Sequence, residues 1–380
     1  MPKKAVAKKT NALKKALVEG DKWERRFFDK ASAVSTGSTL LNLALTGYPD
    51  RGVYKGRYYW FVGDSTSGKT FWTLTLLAEA SINPNFNDYD LIFDNAEDGA
   101  LMDITTYFGP KLAKRLKSPK IKDGVPTNSE DIEDFYFTIA ERLDAIEAGK
   151  AKPFIWVVDS MDALSSKYEK KKFDEGRKAH RRGTQAAGDY GDGKAKINSR
   201  WMRTLVSRIS KLGCILVVIS QTRDNIKQGP MDFGDDVVVS GGRALKFYAC
   251  CQIWTSVGTN LKKEVNGTKR SIGAVVKAAT KKNRLTGKAW SVDVPLYWSH
   301  GLDDIGSCVD FLVAEKRWPA NDGTINAKDF DLPRVRREVL IRTIERDGLE
   351  FDLRQLVAEV WKEIETACSI KRKNPYQESE

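Results

Sequence analysis

The chain has 380 residues, a formal net charge of +12 and 41% hydrophobic residues. That length supports a sizeable core in one large domain or two to three small units, and no apolar run approaches the roughly 20 residues that a membrane-spanning helix needs. Five scattered cysteines without a CxxC pair and only two histidines give no basis for a disulfide frame, a zinc ribbon or a histidine-dependent triad, and the basic excess favours polyanionic partners such as nucleic acid or an anionic membrane surface.

The amino-terminal residues are Lys-rich and weakly helical from Asn11 to Glu19, with no stretch of signal-peptide type, so a cytoplasmic protein is expected. Lys3, Lys4, Lys8 and Lys9 fit a DNA-contacting arm and a solubilising tail equally well. Strands are then predicted at Arg57–Gly63, Tyr89–Asp94, Phe154–Asp159, Cys214–Ser220, Phe247–Ser256, Ala274–Thr280 and Trp290–Leu296. Helices are predicted at Lys69–Ser81, Ile139–Ala148 and Ile197–Lys211. Runs such as WVVD and ILVVIS are apolar throughout, which suits strands buried on both faces of a mostly parallel sheet covered by helices. The fold class is therefore α/β, doubly wound. The polar, Gly-rich stretch Lys167–Gly193 reads as a long mobile loop. Two charged helical patterns, near Pro333–Asp347 and Leu353–Ile370, mark a small, mostly helical carboxyl-terminal unit. The predicted division is a basic arm and oligomerisation segment at 1–33, a core at 34–300 and the helical unit at 301–380.

GDSTSGKT, from Gly63 to Thr70, fits G-x-x-x-x-G-K-[ST] between a predicted strand and a predicted helix. Gly63, Asp64, Ser65, Thr66, Ser67 and Gly68 form a turn whose backbone N–H groups converge on phosphate oxygens at a helix start. Lys69 would meet the β- and γ-phosphates of ATP, and the Thr70 hydroxyl would bind Mg²⁺. PFIWVVDS ends its strand at Asp159, the acidic element expected behind the magnesium, although an aspartate there also caps helices. YDLIFDNAED brings Glu97 to a strand end that faces the ligand crevice. Spacing alone leaves it either a base that activates water or a surface acid.

These residues, with VSTGSTLLNLAL, NAEDGAL, IWVVDSMDAL, VVISQTRDNI, SGGRALKFYA and VVKAATKKNR, occur in an order that resembles the RecA family of recombinases, particularly phage versions of the UvsX type. The resemblance spans roughly 34–315. It implies a RecA-like P-loop ATPase core, a DNA-dependent ATPase activity with ATP and Mg²⁺ as cofactors, and the host bacterial cytoplasm as location. Glu97 falls on the family's catalytic glutamate. Gln221 falls on the residue that senses the γ-phosphate and passes the signal to a DNA-binding loop. Lys282 and Arg284 fall on a basic pair that reaches the neighbouring subunit's ATP. The family commonly has lysine at both places, and arginine at 284 keeps the charge while changing the geometry. A solvated pair of charges is the other reading. Asp103 and Tyr107 lie near the family's adenine contacts, beside a local insertion.

The resemblance also implies partners: single-stranded DNA, homologous duplex DNA, further copies of the chain in a helical filament, and single-strand-binding and loader proteins, with no membrane. Thr222–Gly242 fits the second DNA-binding loop. There Met231 and Phe233 either stack on bases or anchor the loop, while Arg223 and Lys227 meet phosphates. The first DNA loop lies near Tyr190–Arg203, with Lys194, Lys196, Arg200 and Arg203 as cations. Lys167–Gly183 looks like an insertion relative to the bacterial protein, whose lysines and arginines extend the DNA track, contact a second, incoming duplex, or are simply solvated. Trp23, Phe27 and Phe28 are candidates for docking on the next subunit. Two rivals share the nucleotide residues, a ring-shaped helicase and a non-hydrolysing DNA-coating protein.

Overall fold

The computed structural model describes residues 29–183, 193–224, 237–239, 242–370 and 372. Its centre is a ten-stranded sheet. In chain order the strands are β1 (Arg57–Gly63), β2 (Asp90–Asp94), β3 (Leu116–Lys117), β4 (Phe154–Val158), β5 (Ile215–Asp224), β6 (Val237–Val239), β7 (Cys251–Val265), β8 (Thr268–Asn283), β9 (Ser291–Tyr297) and β10 (Gly301–Leu302). Their order across the sheet is β10-β9-β8-β7-β1-β5-β4-β2-β3, with β6 beside β5. Every pairing from β7 to β3 is parallel. β8, β9, β10 and β6 join antiparallel.

The parallel strands are apolar on both faces because both are covered. Tyr59 and Phe61 of β1 belong to one cluster with Ile155, Val157, Ile215 and Val217, against Leu41 of α1 (Thr39–Thr46) and Trp72 and Leu76 of α2 (Lys69–Ile82). Tyr58, Trp60 and Val62 alternate to the other face. They meet Phe135 and Ile139 of α4 (Ile132–Glu147), and Met202, Leu205 and Ile209 of α6 (Gly193–Lys211). Between α2 and α4 runs α3 (Ile104–Arg115). A two-period strand with both faces buried therefore reads as one unbroken hydrophobic run.

The carboxyl-terminal residues share the first of these clusters. Val309 and Leu312 of α8 (Asp304–Ala314), Leu340 and Ile344 of α9 (Arg337–Asp347) and Leu353 and Trp361 of α10 (Glu350–Ala367) join it with Trp318. A three-stranded sheet of short strands (Ala320–Asn321, Thr324–Ile325, Val335–Arg336) sits among these helices. Arg354 of α10 donates to Asp304 at 3.1 Å, and Asp304 accepts from the Thr39 N–H at 2.6 Å, which ties α10, α8 and α1 together.

Four parts of the chain depart from the sequence reading. Lys167–Arg181, expected to be loop, is a helix, α5. Ser166 and Glu169 form a reciprocal capping box, and Lys172–Glu175 and Asp174–Arg177 pair one turn apart. No residue of α5 is buried and its composition is strongly polar, so no apolar run reveals it. The run from Phe247, read as strand, starts in α7 (Arg243–Tyr248), which begins after Gly242 at φ 82°. The strand begins only at Cys251, since a short apolar run does not distinguish helix from strand. β7 and β8 also extend well beyond the predicted strands into a polar ribbon. It closes on Asn266–Gly267, both at positive φ, as a two-residue hairpin requires. α4 begins earlier than predicted because Asp131 caps it, accepting from the Asp134 N–H at 2.8 Å.

Candidate functional site: a phosphate loop and its carboxylates

β1 delivers Gly63 to the carboxyl edge of the sheet, and α2 starts at Lys69. Gly63 has no room for a side chain. A Cβ there would lie 2.3 Å from the Thr255 carbonyl oxygen and 2.6 Å from Ser67 Oγ. Gly68 adopts φ 81°, which glycine permits and other residues resist. Thr66 also sits at positive φ, 63°, and Ser65 N–H bonds back to Asp64 Oδ1 at 2.7 Å. Ser67 Oγ is 2.8 Å from Thr255 Oγ1, which pins the loop to β7.

Lys69 folds back over this loop. Its ammonium donates to the carbonyls of Gly63 at 2.9 Å and Asp64 at 2.6 Å. Burial lowers its pKa, opposed by Asp159 and Glu97. The Thr70 hydroxyl donates to Asp159 Oδ2 at 2.5 Å. Burial pushes the Asp159 carboxyl up to about 6, helped by the charge of Glu97 and opposed by Thr70 and Lys69. A divalent cation fits the convergence of the Thr70 hydroxyl and the Asp159 carboxylate, because it would repay the burial of that carboxylate.

Glu97 follows β2 and meets the next strands through two donors. Gln221 Nε2 donates to Glu97 Oε1 at 2.8 Å, and the Ser160 hydroxyl donates to the same oxygen. Gln221 lies opposite Gly63 in the pairing of β1 with β5. Its backbone N–H donates to Asp162 Oδ2 at 2.8 Å. Ser65, Thr66, Lys69, Thr70, Glu97, Asp159 and Gln221 thus line one cleft, of about 190 Å³, with Asn95 and Met102. Ser160 was not singled out from the sequence. Its signal was its place beside Asp159 at a buried strand end.

Four predicted residues stand outside the cleft. Asp103 caps α3, accepting from the Thr105 N–H at 2.9 Å, and Tyr107 packs edge-on against Phe71 of α2 at 5.6 Å. Lys282 donates to the carbonyls of Lys246 and Phe247 at 2.6 and 2.8 Å, and Arg284 donates to Phe247 O at 3.0 Å. Both cations therefore cap the end of α7 within their own chain. Of the expected DNA contacts, Lys196, Arg200 and Arg203 are exposed, and steps of four and three place them on one face of α6. Lys194 instead donates to the Asp162 carbonyl at 3.0 Å. Arg223 is exposed on β5, which pairs with β6 through Thr222↔Val239 and Arg223↔Val238. The two strands make a stem for the intervening segment. Lys227, Met231 and Phe233 lie outside the described residues, as do Trp23, Phe27 and Phe28. Among the described residues, no helix is long and apolar enough to cross a membrane.

A strand, a glycine-framed loop, a helix led by lysine and a carboxylate just past the end of a second parallel strand, separated from the first by β5, define a phosphate-loop α/β protein. A family model for the RecA N-terminal domain matches residues 14–303. Protein RecA of Lactococcus lactis subsp. cremoris (strain MG1363) is 29% identical over 294 residues, which is 75% of this chain and 65% of that protein. Protein RecA of Helicobacter pylori (strain P12) is 28% identical over 287 residues, 74% of this chain and 70% of that protein. Protein RecA of Campylobacter hominis is 27% identical over 340 residues, 85% of each. The chain belongs to the RecA family, and it spans 65% of the length of the Lactococcus relatives it matches.

Proposed function

We propose that the protein is an ATP-dependent homologous-recombination protein, most like the phage UvsX type. In this reading it assembles head to tail on single-stranded DNA, pairs that strand with homologous duplex and promotes strand exchange. The observation that carries the reading is the bond between Gln221 and Glu97. Gln221 belongs to the nucleotide cleft and also stands one residue before the stem that leads into the 222–242 segment.

Lys69 would exchange the carbonyls of Gly63 and Asp64 for phosphate oxygens. The Thr70 hydroxyl and Asp159 would hold magnesium, which supplies charge neutralisation for the β- and γ-phosphates. Among the described residues both side-chain donors to the Glu97 carboxylate use Oε1, and Oε2 would take the proton of an attacking water. Gln221 would divide its amide between Glu97 and the γ-phosphate. A change of partner there would move the end of β5 and with it the DNA-binding segment. Lys282 and Arg284 would reach a neighbouring subunit's nucleotide by releasing the α7 carbonyls. Hydrolysis would then weaken the filament and release the product.

Negative-stain microscopy with ATP and single-stranded DNA, together with a strand-exchange assay, tests the proposal. Extended filaments and exchanged products are expected. Closed rings without exchange would favour a helicase built on the same core and overturn the recombinase reading.

A further inference from the structure

We infer that α5 is a docking surface for the phosphate backbone of duplex DNA; the inference rests on the DNA-binding reading above and assigns this partner to a helix outside the nucleotide cleft. α5 carries seven lysines and arginines against three acids. At 1.5 Å per residue it is about 22 Å long. With 3.6 residues per turn, Lys167, Lys170, Lys171, Arg177, Lys178 and Arg181 fall on one stripe, interrupted only by Asp174. All are exposed. Among the described residues nothing pairs with the side chains of Lys171, Lys178 or Arg181.

Ordinary solvation does not account for the distribution of these charges. Lys167 and Lys171, and Arg177 and Arg181, stand four apart with like charge, a spacing at which like charges destabilise a helix. Glu169 closes the capping box and Glu175 pairs with Lys172, while Asp174 pairs with Arg177 and Asp131 with Lys170, which leaves Lys171, Lys178 and Arg181 without an acid among the described residues. An external polyanion would relieve the repulsion that remains around Lys171, Lys178 and Arg181. The stripe has no aromatic residue, whereas single-strand platforms stack bases on rings. Tyr168 and Phe173 lie off it, toward the flanks of the helix. A straight row of cations without rings suits the rigid phosphate rail of a duplex.

The position agrees with this partner. A Cβ at Gly193, the first residue of α6, would lie 3.8 Å from the Tyr168 ring and 3.3 Å from Ser166 Oγ. The Lys167 ammonium lies 5.8 Å from the centre of the Phe137 ring, and Phe137 meets Trp201 of α6 edge-on at 5.4 Å. The Arg200 guanidinium lies 5.1 Å from the centre of the Trp201 ring. The amino-terminal end of α5 is therefore continuous with the exposed basic face of α6.

The test compares the full-length chain with the triple variant Lys171→Ala, Lys178→Ala, Arg181→Ala. Binding to labelled duplex DNA, labelled single strand and phosphatidylserine vesicles is measured across a salt series, with circular dichroism to confirm folding. For duplex, the variant is expected to lose at least about tenfold in affinity near 0.1 M salt, and the slope of log K against log salt should fall by about 2–3. Single-strand binding and the basal rate of ATP hydrolysis should stay within about twofold of the parent, since the deleted stripe carries no stacking residue. An unchanged duplex slope in a parent that binds DNA overturns this inference alone. A loss confined to single strand, or to the vesicles, assigns the helix to another partner and also overturns it. A parent that binds no DNA removes the recombinase reading as well.

Discussion

The nucleotide cleft and α5 differ in how their charges are held. In the cleft, Lys69, Asp159 and Glu97 each bond to a named protein group, and Lys69 and Asp159 are mostly buried. On α5 the stripe cations are exposed, Lys170 and Arg177 being the ones ion-paired among the described residues, and none of its residues is buried. The cleft is thus a pre-organised site in which one lost atom has a large chemical effect. On the inference above, the helix acts as an electrostatic surface, where single residues matter little and the sum matters through salt dependence.

Substitutions at the two places should differ accordingly. Glu97→Gln should lower ATP turnover by about 10²–10⁴-fold while nucleotide binding persists, measured by phosphate release and by a fluorescent nucleotide. Gly63→Ala should be the most destabilising change near the cleft, by about 1–3 kcal/mol in a denaturant titration, because its Cβ would meet the Thr255 carbonyl. Arg354→Ala leaves the buried Asp304 without its cation. Arg354 itself is partly exposed, so about 1–3 kcal/mol of thermal stability should be lost, with the nucleotide cleft unchanged. Ser166→Ala removes the capping box of α5 and should cost about 1 kcal/mol locally, seen as faster amide exchange across Lys167–Arg181 while β1 and β5 stay protected. Exchange that quickened equally in the central strands would show that α5 is integral to the core and remove the contrast.

The same contrast explains what could be read from sequence. β1, β4 and β5 were legible because strands buried on both faces appear as apolar runs, and the phosphate loop follows the first of them. α5 was not legible, since its stability comes from a cap and ion pairs and no apolar run marks it. The hairpin turn Asn266–Gly267 carried a local signal, but the lysines around it masked the strands. Within the site, Lys69, Thr70, Asp159, Glu97 and Gln221, all named from the sequence, line one cleft. The role of Ser160 required the fold, because only the meeting of β2 and β4 brings it against Glu97. The bonds of Lys282 and Arg284 to α7 were equally hidden, because α7 was not expected and its last two residues, Phe247 and Tyr248, fall in a run read as strand.

The most direct test is the ratio of ATP hydrolysis with single-stranded DNA to hydrolysis without it, in the parent and in Gln221→Ala, with nucleotide binding checked in both. The account predicts strong stimulation in the parent and a ratio near one in the variant, because the link between Glu97 and the 222–242 segment is cut. An unchanged ratio in the variant, or a parent indifferent to DNA, would contradict it.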